Sequence, residues 1–153
     1  MNLDHRPLSR RLFLGGLGAT ALLTACGSSE ETDASATSDD GTAAPGIRLV
    51  NAEQGAAIQA SPPDDLVILD VRTAEEFADG HLEGAIMIDF YRDDFADQIA
   101  ALDPNVPYLL YCRSGNRSGQ TTAIMEDLGF SDVADINGGI AAWTQAGLPT
   151  VTQ

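Results

Sequence analysis

Seven consecutive residues carry the strongest chemical signal in this chain: Cys112-Arg113-Ser114-Gly115-Asn116-Arg117-Ser118. A cysteine is the best sulfur nucleophile a protein has, but only as the thiolate, and a free thiol of pKa about 8.5 is only a few per cent ionised at neutral pH. Two features here would lower that value. Gly115 and its small neighbours allow successive backbone N–H groups to turn inward as an anion nest, and a helix starting near Ser118 would direct its positive end at the sulfur. Arg113 and Arg117 add positive charge for an anionic substrate. The chemistry these residues could do is nucleophilic attack by Cys112, with residues 113–118 holding the negative charge on the reagent and on the product. No metal or other cofactor is needed for it.

The elements that must position this loop follow from the hydrophobic pattern. Tyr108 to Tyr111 is an apolar run of the type buried on both faces of a parallel sheet, and Cys112 falls at its end. Ser118 to Leu128 reads as a helix with Ile124, Met125 and Leu128 inward and Gly129 closing it. Ile47–Val50, Leu66–Val71, Ala85–Ile88 and Val133–Ile136 read as further strands. Between them lie a helix capped by Asn51 and stopped at Ser61-Pro62-Pro63, a short helix whose Thr73 and Glu76 form a capping box, and a helix carrying Phe95, Ile99 and Leu102. A last helix from Gly139 to Ala146 carries Trp143. Strands and helices alternate, so the expected fold is α/β with a mainly parallel central sheet flanked by helices. In such sheets the ligand crevice lies beyond the carboxyl ends of the strands, where Cys112 is placed.

The first forty-odd residues read as an address rather than as structure. Residues 1–25 combine Arg6, Arg10 and Arg11 with an apolar run from Leu12 to Ala25, too short to span a bilayer comfortably, since that takes about twenty residues. Ser9-Arg10-Arg11-Leu12-Phe13-Leu14 resembles a twin-arginine export signal, and Leu23-Thr24-Ala25-Cys26 resembles a bacterial lipobox. Cys26 is then the expected lipidation site and the mature N-terminus; an uncleaved transmembrane anchor is the less favoured alternative. Residues 26–45 are rich in Ser, Thr, Ala, Asp and Glu, with nothing large and apolar to bury, and read as a flexible linker. Residues 46–153 form the expected single domain. The expected location is extracytoplasmic, anchored to the membrane through lipid on Cys26.

Charge narrows the partners. The chain carries 8 Lys+Arg, all of them Arg, against 23 Asp+Glu, for a formal net charge of −15, which argues against nucleic acid and against electrostatic attachment to anionic lipid. With Cys26 assigned to lipid, Cys112 has no second thiol in the exported part. A disulfide oxidoreductase, which normally wants Cys-x-x-Cys, is therefore disfavoured.

Three ordered stretches resemble one family. Leu69-Asp70-Val71-Arg72-Thr73-Ala74-Glu75-Glu76-Phe77, followed by Gly80-His81-Leu82-Glu83-Gly84-Ala85-Ile86, resembles the first rhodanese signature. The 112–118 loop resembles the rhodanese active-site loop. Asn137-Gly138-Gly139-Ile140, Trp143 and Gly147-Leu148-Pro149 resemble the family's C-terminal turn and helix. The resemblance implies a rhodanese-like fold and a sulfurtransferase that carries sulfur as a persulfide on Cys112. It implies a small anionic donor such as thiosulfate and a thiol or cyanide-like acceptor, with Arg113, Ser114, Gly115, Asn116, Arg117 and Ser118 binding the donor. Of the two arginines, Arg117 is the better placed to orient it, because it closes the loop. The rival reading is a non-catalytic rhodanese-like binding or sensing module at the membrane surface. Related architectures that act on phosphate or arsenate use Cys-x5-Arg, one residue longer than the Cys-x4-Arg here.

The remaining polar residues of these motifs have plainer roles. Asp70 and Arg72 are expected to pair and hold loops, His81 to act as a hydrogen-bonded spacer, and Trp143 to anchor its helix in the core. Glu83 stands where the family usually has proline, and its charge is expected near a turn facing the site.

Overall fold

A computed structural model describes residues 45–152. The expected signal peptide, the lipidation site Cys26 and the linker up to residue 44 lie outside the described residues. Among the described residues, no helix is long and apolar enough to cross a membrane.

Five strands and five helices alternate along the chain: β1 (Ile47–Val50), α1 (Ala52–Ala60), β2 (Val67–Asp70), α2 (Ala74–Asp79), β3 (Ile86–Met87), α3 (Phe95–Ala100), β4 (Tyr108–Tyr111), α4 (Asn116–Asp127), β5 (Val133–Ile136) and α5 (Gly139–Gln145). All strand pairs are parallel, in the order β1-β5-β4-β2-β3. The fully buried runs Tyr108–Tyr111 and Val133–Ile136 form the two strands that are covered on both faces and paired on both sides. Period-two alternation divides their side chains between the faces. Leu69, Tyr108, Leu110 and Val133 pack with Phe95, Ile99 and Met125 under α3 and α4. Ile68, Leu109, Tyr111, Ala134 and Ile136 pack with Ala52, Ile140 and Trp143 under α1 and α5.

The strand order places the site. From β2 the chain moves outward to β3, then returns to β4 and continues in the opposite direction to β5, so the winding reverses between β2 and β4. Connections leaving the carboxyl ends of these two strands diverge and open a crevice at that point. Val71-Arg72-Thr73 leaves one side of it and Cys112-Arg113-Ser114 the other.

Local chemistry fixes the element ends. Asn51 and Thr73 both head capping boxes, with Gln54 and Glu76 as the reciprocal partners. Two expectations are corrected. α4 starts at Asn116 and not near Ser118, because Gly115 takes a left-handed conformation (φ 94°) as its N-cap and lets the helix begin at once. Leu128 is not inward but 42 % exposed, since α4 ends at Asp127 and the chain turns away there.

Candidate active site

Cys112 is the first residue after β4, and its side chain points to the α4 face of the sheet, 1 % exposed. The Gly115 N–H donates to its Sγ at 3.1 Å. Burial by itself would push the Cys112 thiol up, but hydrogen bonds from the Ser118 hydroxyl and from the amides of Ser118, Ser114 and Gly115 outweigh it, and the thiol lies below its ordinary value. These donors all come from the turn that opens α4, where unpaired helix N–H groups converge. The loop thus behaves as a cup for negative charge centred on sulfur.

The outer side of the loop is held by the first turn of α5. Ile140 N–H donates to the Cys112 carbonyl at 2.9 Å and Ala141 N–H to the Arg113 carbonyl at 3.1 Å. With these carbonyls committed outward, the amides of the loop are free to face the sulfur. The approach needs a glycine: Gly139 has φ 58°, and a Cβ there would stand 2.3 Å from the Cys112 carbonyl oxygen. This explains the Gly138-Gly139 pair of the sequence motif in steric terms.

The two arginines have different surroundings. Arg117 lies in the first turn of α4, 9 % exposed, and its guanidinium donates to both oxygens of Glu76 at 2.7 and 2.9 Å. It also lies over the Tyr91 ring, 5.5 Å from the centroid. Beside Arg117, the Glu76 carboxyl is lowered to about 2. Glu76 also accepts from the Thr73 N–H at 3.2 Å, so one carboxylate closes the cap of α2 and ties it to α4 across the crevice. The Arg117 charge is therefore largely answered within the chain. Arg113 is exposed and makes no ion pair among the described residues. Ser114 and Asn116 are also exposed on the rim, whereas Ser118 is fully buried beneath it.

The supporting residues take structural positions. Asp70 and Arg72 form a buried ion pair at 2.6 Å, and Arg72 reaches on to the Gly80 carbonyl at 2.7 Å. His81 stacks on Phe77 with ring centroids 3.8 Å apart, and its Nδ1 lies 2.9 Å from the Phe77 carbonyl, which places the proton on that nitrogen. Trp143 is in the core, and its indole N–H donates to the Pro149 carbonyl at 2.8 Å. Glu83 does not face the loop. Its turn is tied to α1, where the Gln59 side chain donates to the Glu83 carbonyl at 2.9 Å, and it borders a groove with Trp143 and Pro149.

Two residues beside this site were given no site role by the sequence. Glu76 is visible in the sequence only as a local cap, and its second partner lies 41 residues away. Asp135 sits in β5, 2 % exposed and on the same sheet face as Cys112, with its carboxyl near the Ser118 hydroxyl. A charged letter inside an otherwise apolar strand is the one signal that could have marked it.

A doubly wound parallel sheet with a cysteine loop at its switch point, its amides turned toward the sulfur, defines the class of this α/β domain. The sequence profile of the rhodanese-like domain matches residues 52–146, and the chain belongs to that family. Among curated relatives, it is 38 % identical to thiosulfate sulfurtransferase 16, chloroplastic, of Arabidopsis thaliana, a match spanning 54 % of this chain and 77 % of that protein. It is 34 % identical to thiosulfate sulfurtransferase GlpE of Pseudomonas entomophila over 63 % of this chain and 84 % of that one. Among solved structures, a rhodanese-related protein from Thermoplasma volcanium superposes with a TM-score of 0.61 at 26 % identity, covering 69 % of this chain and 99 % of its own.

Proposed function

We propose that the domain is a sulfurtransferase that carries sulfur as a persulfide on Cys112. The observation that carries this reading is the Gly115 amide donating to Sγ at 3.1 Å in the turn that opens α4, beside a thiol that lies below its ordinary value despite its burial. The relatives' names supply the donor class, a thiosulfate-type sulfane.

In the first half-reaction the Cys112 thiolate attacks the outer sulfur of thiosulfate. The S–S bond of the donor breaks, sulfite leaves with the electron pair, and the negative charge moves to the terminal sulfur of the new persulfide. In the second, a thiophilic acceptor such as cyanide or a thiolate takes that sulfur and returns the thiolate. Both steps displace one anion by another, so the same amides serve throughout, and no proton has to move.

The arginines divide the work. Arg117, held by Glu76, shapes and stiffens the wall of the cup, while Arg113 is the free charge at the rim that meets an incoming dianion. The latter role is the reverse of the one their spacing suggested. Because Cys112 is 1 % exposed, admission of a donor requires the exposed rim residues to move aside.

Location completes the proposal. Lipid on Cys26 anchors the domain outside the cytoplasm, and one acyl chain holds marginally while two hold firmly, at about 0.8 kcal/mol per buried methylene.

Mass spectrometry of the protein after thiosulfate treatment tests the chemistry. The expected result is a gain of one sulfur atom on the Cys112 peptide, removed by cyanide. A thiol that stays unmodified under these conditions leaves the binding-module reading instead.

A further inference from the structure

The loop that leaves the carboxyl end of β3 opens at the same end of the sheet as the cysteine loop, and sulfur transfer as described above makes no use of it. Ile88 N–H donates to the Asp70 carbonyl at 2.9 Å, which holds the start of this loop against the end of β2. Asp89 then closes a turn: its carbonyl accepts from the Arg92 N–H at 3.2 Å and its side chain from the Tyr91 N–H at 3.0 Å. Phe90 turns inward, packing on the core and against Phe95 with ring centroids 5.0 Å apart. Tyr91 turns outward and is 70 % exposed, meeting Phe90 edge-on at 5.5 Å. The Arg117 guanidinium covers one face of its ring, 5.5 Å from the centroid, and is itself clamped by both oxygens of Glu76. The opposite face is open.

We propose that Tyr91 is a specificity-determining residue of the second half-reaction, its open ring face receiving the flat, uncharged body of an organic thiol acceptor. The proposal deepens the sulfurtransfer reading and rests on a persulfide forming on Cys112.

Cyanide has no body to place, so the cup alone deals with it. A thiol must lay its body outside the cup while its sulfur reaches the persulfide. Arg117 belongs to the helical turn that follows the cysteine loop, so the ring above it stands at the rim of that cup. A ring backed by a clamped guanidinium and anchored by its buried neighbour loses little freedom when a second flat group stacks on it, and such stacking is favourable beyond the area it covers. The charges at the rim select the body. Arg117 would repel a cation through the ring, and Asp89, Asp93 and Asp94, which share the loop with Arg92 as its one basic residue, would repel an anion. In the step itself the acceptor thiolate bonds to the outer sulfur of the persulfide, the bond from that sulfur to Sγ breaks, and its electron pair stays on Sγ. The organic persulfide leaves as an anion, so two anions enter and two are formed, with no oxidant or reductant required.

The test starts from the full chain treated with thiosulfate, with the persulfide on Cys112 read by mass spectrometry. Its single-turnover discharge is timed with phenylmethanethiol and with 2-sulfanylethanol at equal, subsaturating thiolate concentrations. The readout is the ratio of the two rates, divided by the same ratio for free cysteine persulfide, so that a general change in the cup cancels. Wild type should give a value above one. Tyr91→Ala should lower it roughly two- to tenfold, through weaker binding of the aromatic thiol and not a slower maximal rate. Tyr91→Phe, which keeps the ring, should retain the wild-type value. A wild-type value at or below one, an unchanged value in Tyr91→Ala, or a loss in Tyr91→Phe as large as in Tyr91→Ala would overturn the proposal. Failure to form any persulfide would refute the sulfurtransfer reading and this proposal with it, whereas a persulfide discharged with the same ratio by wild type and Tyr91→Ala refutes the proposal alone.

Discussion

Glu76 and Arg117 meet through two parallel hydrogen bonds of 2.7 and 2.9 Å, and this fork joins the helix that follows β2 to the helix that follows β4. The two helices leave the sheet on either side of the winding reversal, where the backbone itself provides no connection. The fork therefore bridges the crevice whose opening the topology creates, and it does so in the helix that follows Cys112.

Glu76→Gln should loosen that closure. Charged hydrogen bonds of this kind contribute about 1.5–3 kcal/mol, with the lower end apt because the Glu76 side chain is 27 % exposed. The folded-state carboxyl is depressed to about 2, so its stabilisation is full above about pH 4.5 and is lost as pH falls towards 2. Urea unfolding should show wild type converging on the variant in acid; a difference that stays constant from neutral pH down would contradict the ion pair's role.

Asp135 has the opposite sign. The folded chain holds its proton more tightly than the unfolded chain, with the pKa going from 3.8 to about 6, so that stabilisation is complete below about pH 4 and is lost as pH rises past 6. The shift corresponds to about 3 kcal/mol. Wild type should lose stability relative to Asp135→Asn between about pH 4 and pH 8, and parallel curves for the two proteins would show that the carboxyl is not buried as described.

Gly139→Ala should disrupt the site from behind. The added methyl meets the Cys112 carbonyl oxygen at 2.3 Å on a backbone with φ 58°, which together should cost on the order of 3 kcal/mol or more. Thermal unfolding should register a lower Tm, and Cys112 alkylation at neutral pH should slow. Retention of wild-type values in both would mean that the loop carbonyls do not depend on α5.

Cys112→Ser should reduce thiosulfate:cyanide sulfur transfer to the uncatalysed background with the fold intact, because a hydroxyl is a far weaker nucleophile at neutral pH. The wild-type loop is one residue shorter than the Cys-x5-Arg loops that surround tetrahedral oxyanions, so an aryl phosphate should be ignored. Steady-state assays with both substrates check this, and faster phosphate hydrolysis would reverse the assignment.

Cys26→Ala should release the domain from the membrane fraction while leaving its transfer activity unchanged. Sedimentation of the variant with membranes after an alkaline wash would favour an uncleaved anchor.

Much of this architecture was legible because it is local. The apolar runs at Tyr108–Tyr111 and Val133–Ile136 marked the central strands, and Thr73 with Glu76 marked the start of α2. Cys112 and its glycine-containing loop were visible for the same reason. What the sequence did not reveal is where long side chains find their partners: Arg117, expected to orient the donor, also forms an ion pair with Glu76, far away in the chain. Asp135 was hidden because a buried carboxyl and a solvent-facing one have the same letter, and only the fold determines which of the two a strand position becomes. Glu83 was expected to face the site because it borders a signature motif, yet the turn it occupies is folded back onto α1.

The contacts from Ile140 and Ala141 to the loop carbonyls have a consequence for the order in which the site is assembled. Cys112 leaves the ribosome before Gly138 and Gly139 do, so in a nascent chain the carbonyls of its loop have no partners from α5. The loop carbonyls gain these partners only when α5 docks. A chain truncated before that helix would lack the contacts that hold the cysteine loop as well as part of the packing.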